Sequence, residues 1–264
     1  MFKNCINFRS PFAAIVIHTL KAAHRDMLFL GNIVAIVIAT LVAFFMGSTA
    51  LTEQSEMKIV YTATMSRVIT VSGMIIFVCF HVRRMFENRE VEMIISRPVS
   101  RNMVIIAMFT GFSILVLPMI LVTIAILFPL ANKIGLIYWG ISLMLECWTM
   151  IAFTMFFSLL IEGSIFSLMM SLLTYFMSRA IGSFVAYISL TNRLKELYIF
   201  QSLSEAMIKV VSIMIPRLDF CAKSSWLIYG LVDSSMFYFS VIQTLIISSV
   251  IVLATMHDFK KKDF

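Results

Sequence analysis

Two ionisable residues lie far inside apolar stretches of this sequence, Glu146 and Arg179. Counted at 1.5 Å per residue from the ends of their stretches, both fall roughly 14 to 15 Å below the same boundary, on sequential antiparallel spans. An isolated charge at such depth costs at least about 2.5 kcal/mol, so mutual pairing is the first expectation. The pair can fix the packing of the two spans, or one member can face a substrate. Other chemistry is missing from the sequence. It has no Gly-x-x-x-x-Gly-Lys-Ser/Thr for binding ATP, no His-Glu-x-x-His for zinc and no Gly-x-Ser-x-Gly elbow. The chain is therefore not expected to be an enzyme, to have catalytic residues or to hold a metal or cofactor itself. Cys5, Cys79, Cys147 and Cys221 are isolated, with no CxxC spacing. His18, His24, His81 and His257 sit near span ends and read as interfacial residues.

The second concentration of chemistry is a charged island, His81 to Arg101, between two apolar spans. Arg83, Arg84, Arg89, Arg97 and Arg101 alternate with Glu87, Glu90 and Glu92 around Phe86, Val91, Met93, Ile94 and Ile95. Phe86 and Met93 share a helical face, Val91, Ile94 and Ile95 follow the i, i+3, i+4 rule, and Arg83 can pair with Glu87 across one turn. These spacings predict an amphipathic helix over 86–97, closed at Arg97 by Pro98 and followed by a cap at Ser100 or Asn102. The structural alternative is a solvated loop whose arginines obey the positive-inside rule.

This island resembles the cytoplasmic coupling segment of the permease (transmembrane) subunits of ABC transporters of the type-two exporter class. The matching residues are Glu87 as upstream acid, Glu92, Met93-Ile94-Ile95, and Ser96-Arg97-Pro98-Val99-Ser100-Arg101. Arg89 and Glu90 stand where the family has Gly-Thr. The resemblance implies ATP-driven export by a permease dimer, with a second copy or a paralogue, on separate ATPase subunits that hold ATP and Mg. In that reading Glu87, Glu90, Glu92, Arg97 and Arg101 make polar contacts to the ATPase, Phe86 and Met93 anchor the helix, and Pro98 forms a rigid corner. It further implies the bacterial cytoplasmic (inner) membrane. The permeases it resembles serve sodium or drug efflux, copper-enzyme maturation and, more weakly, haem export. The alternatives are a six-span scaffold or assembly protein and a secondary transporter without an ATPase.

These residues must be positioned by membrane-spanning helices. The chain has 264 residues, 61% hydrophobic and 13% charged, with mean hydropathy +0.98, far from the usual soluble balance. An all-α integral membrane protein is predicted, one permease domain over 1–264 with spans near 27–49, 65–81, 103–128, 136–161, 165–188 and 236–256. The net charge of +7 is dispersed at span ends, which points to lipid headgroups rather than nucleic acid. Placing both termini in the cytoplasm puts about twelve of the 21 basic residues on that side.

Around the spans, Ser10 to Asp26 reads as an interfacial amphipathic helix, with Phe12, Ile15, Val16, Leu20 and Ala23 on one face. No cleaved signal peptide is read. Pro118 predicts a kink in span three, and Tyr138 and Trp139 an aromatic belt at the start of span four. Ser178, Gly182 and Ala186 predict a close helix approach along span five. Between spans five and six, a helix around Leu194 to Val211 and a second element over Pro216 to Tyr229 are expected to lie in the outer interface, as short external helices. In the exporter class this position carries short re-entrant or external helices that cap the translocation path, so the resemblance implies an outer gate.

Overall fold

The computed structural model describes residues 11–49, 53–88, 100–191, 216–230 and 234–261, and every regular element among them is helical. In chain order these are α1 (Pro11–Arg25), α2 (Met27–Ser48), α3 (Gln54–Glu87), α4 (Arg101–Leu127), α5 (Lys133–Leu160), α6 (Ser164–Thr191), a 3-10 turn (Leu218–Phe220), α7 (Ser225–Tyr229) and α8 (Ser234–Lys261). Six of them, α2 to α6 and α8, are long and apolar enough to cross a membrane, and the chain is a multi-pass membrane protein.

Asp26 starts α2: its carboxylate accepts a hydrogen bond from the Leu28 N–H at 3.0 Å. Along α2, Phe29, Asn32, Ile36, Thr40, Ala43 and Gly47 are buried at three- or four-residue steps, a narrow seam laid on α3. Asn32 is satisfied there by donating to the Met119 sulfur at 3.4 Å. The rest of α2, including Val34, Ile38, Leu41 and Phe45, is exposed, as a lipid-facing surface would be.

The centre is α5, which packs against α3, α4, α6, α7 and α8. Asn132 caps it, accepting from the Ile134 and Gly135 N–H groups. Its apolar stretch is 67% buried, against 22% for α8, so α5 is the core helix and α8 a flank. Two of its buried hydroxyls bond within the helix, Thr149 to the Glu146 carbonyl and Thr154 to the Met150 carbonyl, while Ser158 meets Ser167 of α6 at 3.1 Å. Side chains this small let neighbouring backbones approach closely.

Several expectations need correction. The second span is far longer than 65–81, because Ile59, Thr62, Ala63 and Ser66 already pack inward on the first turns of α3. Phe86 and Glu87 belong to the last turn of that same helix and do not open a new one. No ion pair joins Arg83 to Glu87 among the described residues; Arg84 instead pairs with Asp26 at 3.0 Å. Glu90, Glu92, Met93, Arg97 and Pro98, the helix around Leu194 to Val211, and Cys5 lie outside the described residues. Span four begins at Lys133, ahead of the expected 136. Pro118 lies inside a helix that continues through it. His81 is buried, stacked on Phe77 with ring centres 5.5 Å apart and edge-on to Phe112.

The segment 216–230 departs from the interfacial reading and agrees with a re-entrant one. It enters the bundle, with the 3-10 turn on α6 and α8 and with α7 on α3 and α5, and Leu218, Cys221, Ala222 and Leu227 are fully buried. Two glycines make the room. A Cβ on Gly135 would fall on the Trp226 carbonyl oxygen, and one on Gly182 would fall on the Asp219 side chain. The small-residue face of α6 thus receives this turn at Gly182. At its exposed end Tyr229 donates to Glu56 at 3.4 Å, and the carboxylate holds the phenol above its ordinary value.

Gly135→Ala is expected to push α7 off α5 and destabilise the protein by about 1–3 kcal/mol, read as a lower melting temperature in detergent. Gly31→Ala is the control, since nothing lies within 4 Å of the added methyl.

Candidate functional site: a buried charge cluster

Glu146 sits mid-way along α5 and is completely buried. Trp139, seven residues earlier, shares its face, and the structure buries Trp139 fully instead of setting it in an aromatic belt. Across from them, α6 contributes Tyr175 and Arg179 at four-residue spacing. The Arg179 guanidinium comes to 3.8 Å from Glu146, and the Tyr175 hydroxyl lies beside the carboxylate but outside hydrogen-bond geometry. The sequence-paired charges are therefore adjacent. Neither carboxylate oxygen of Glu146 has a hydrogen bond.

A third charge joins them. Arg67 of α3 is 7% exposed and within the electrostatic reach of both Glu146 and Arg179. At 1.5 Å per residue Arg67 and Glu146 each lie about 20 Å along their helices from the same end of the bundle. The cluster thus carries two guanidinium groups and one carboxylate.

The hydrogen-bond partners of the arginines are backbone carbonyls, with Arg67 Nε left unpaired. Arg179 Nη1 donates to the Leu218 carbonyl at 2.5 Å and to the Cys221 carbonyl at 3.1 Å. Arg67 Nη1 donates to the Ala222 carbonyl at 2.7 Å, an acceptor shared with the Trp139 indole N–H at 3.1 Å. A stretch of non-repetitive chain carries carbonyls with no ladder partner, and such chain is tolerated at membrane depth only where protein groups meet them. Here the spans provide those donors. Asp219 of the same turn is paired with Arg217 at 3.0 Å.

Residues 216–230 are wedged as a plug among α3, α5, α6 and α8, held by Arg67 of α3 and Arg179 of α6, whose charge Glu146 offsets from α5. Chemically it can hold a polar path closed, or exchange its backbone acceptors for another acceptor. Cys79, Cys147 and Cys221 are buried free thiols, and no group of three or more metal-ligating side chains occurs among the described residues.

At the opposite end of the bundle the structure brings Phe86 edge-on to Phe259 with ring centres 6.5 Å apart, and Arg101 Nη1 donates to the Lys260 carbonyl at 3.2 Å. The ends of α3, α4 and α8 therefore meet where the charged island begins and ends. Sequence reasoning missed Arg67 and the carbonyls of 218–222. The four-residue run of Ala63, Arg67 and Val71 on the buried face of α3 was the available signal for the first.

No protein-family profile matches the chain, and no curated protein matches it.

Arg179→Met strands the Leu218 and Cys221 carbonyls and leaves Glu146 with Arg67 as its one cation, and is expected to cost about 1–3 kcal/mol in thermal unfolding. Adding Glu146→Leu leaves Arg67 buried without its counter-charge and is expected to destabilise the protein further. A single variant that melts like the parent would show that the pair contributes nothing.

Proposed function

We propose that the chain is the membrane-spanning permease subunit of an ABC exporter, working as a dimer with a second copy or a paralogue on separate ATPase subunits. The observation that carries this reading is the continuity of α3. One unbroken helix of 34 residues runs from the charged island to Arg67 and so to the plug. Between Glu87 and Arg67 that is about 30 Å of rigid rod. A push on the island is delivered directly to the Ala222 carbonyl.

In this mechanism ATP and Mg bind the partner, whose closure moves the island residues Glu87, Glu90, Glu92, Met93, Arg97 and Arg101. Tilting α3 separates Arg67 from Ala222, the plug loses one of its anchors, and the path between α3, α5 and α6 opens. Glu146 retains Arg179 during that step and limits the cost of the exposed charge. The island and both termini face the cytoplasm in the bacterial inner membrane. The chain itself catalyses nothing.

A second reading, proton-coupled transport without an ATPase, is favoured by one feature: a fully buried carboxylate with no hydrogen bond, as a proton-carrying site in a membrane helix would present. Purification in mild detergent from native membranes distinguishes the two. A stoichiometric P-loop ATPase is expected to accompany the protein and to be lost from Glu92→Arg, while membrane insertion stays normal. Transport that persists in an ATPase-free reconstitution and follows an imposed proton gradient would replace the first reading with the second.

A further inference from the structure

A cavity of about 500 Å³ lies at the α1 end of the bundle, lined by His18, Lys21 and Arg25 of α1, by Asp26, and by His81 and Arg84 of α3. Three fixed cations face one carboxylate. That carboxylate is already engaged, accepting from Arg84 at 3.0 Å and from the Leu28 N–H at 3.0 Å. Lys21 and Arg25 are exposed and form no ion pair with any described residue. His81 is 5% exposed, held by its rings Phe77 and Phe112, and its Nε2 has no hydrogen-bond partner. The cavity therefore has a buried wall with unused hydrogen-bonding capacity and a cationic rim.

Its depth and its neighbour identify the occupant. The apolar span α2 begins at Met27, immediately after Asp26, so the cavity sits where hydrocarbon gives way to headgroups. Arg25, Asp26 and Arg84 also line an adjoining groove whose other walls are Met27, Leu28 and Phe80. Met27 is 83% exposed there. A cationic cavity opening onto an apolar groove fits a molecule with a phosphodiester head and acyl tails. We propose that this cavity binds the headgroup of an anionic phospholipid, with Lys21 and Arg25 contacting the phosphate and the groove taking the start of a chain.

The test reconstitutes the full chain in nanodiscs of dioleoyl phosphatidylcholine with or without dioleoyl phosphatidylglycerol and measures thermal unfolding. The anionic lipid is expected to raise the melting temperature by about 3–5 °C. Lys21→Gln with Arg25→Gln is expected to abolish that rise while melting normally in phosphatidylcholine. Lys260→Gln with Lys261→Gln removes equal charge from α8 and is expected to keep it. Four results would overturn the proposal: no rise in the parent, a rise retained without Lys21 and Arg25, a rise lost in the α8 variant, or the same rise from inorganic phosphate in phosphatidylcholine discs.

Discussion

The bonds from Arg67 and Arg179 to the carbonyls of Leu218, Cys221 and Ala222 are the constraint on which the rest of the structure depends. A non-repetitive segment can enter a helical membrane bundle only if its backbone acceptors are met. Arginine meets them well, because its planar fork reaches more than one oxygen and never loses its charge. Burying Arg67 and half-burying Arg179 is expensive in turn, and Glu146 is the counter-charge that makes the arrangement tolerable. Plug, arginines and carboxylate therefore stand or fall together, and they tie α3, α5 and α6 to the same turn of chain.

The two ends of the bundle differ in how they are held. At the plug, polar bonds with defined geometry have two discrete conditions, made or broken. At the α1 end, aromatic contacts join Phe77, His81, Phe86, Phe112 and Phe259, beside the exposed Arg84–Asp26 ion pair and the Arg101 bond to the Lys260 carbonyl. In the mechanism proposed above, a displacement at the island end is carried along the unbroken α3 to the Arg67 bond. This is why α3, and not the more central α5, is its moving part.

Much of this fold was legible in the sequence. Long apolar stretches gave six spans, since hydrocarbon thickness dictates their length, and the matched depths of Glu146 and Arg179 anticipated their proximity. Arg67 was not legible because hydropathy marks where a helix is apolar, not where it begins: Glu56 and Lys58 on the first turns of α3 hid a helix that runs well beyond the apolar window. The plug was hidden for a different reason. Arg217, Asp219, Lys223 and two serines give 216–230 a polar surface composition, yet its burial rests on backbone carbonyls, which every sequence carries and no side-chain pattern reveals. Trp139 was misplaced by the same blindness, since its indole partner is also a carbonyl. The island's helix over 86–97 lies largely outside the described residues, and its first residues, Phe86 and Glu87, proved to continue α3.

The central claim is that the plug is released when the charged island is driven. Cys221 reports on it directly, being a completely buried thiol within the plug. The measurement is labelling of Cys221 by a water-soluble maleimide in native membranes, with and without ATP, read by peptide mass spectrometry. The account predicts a protected thiol at rest and a labelled one with ATP, with Cys147 protected in both. Equal protection of Cys221 in the two conditions, in membranes that transport, would contradict it.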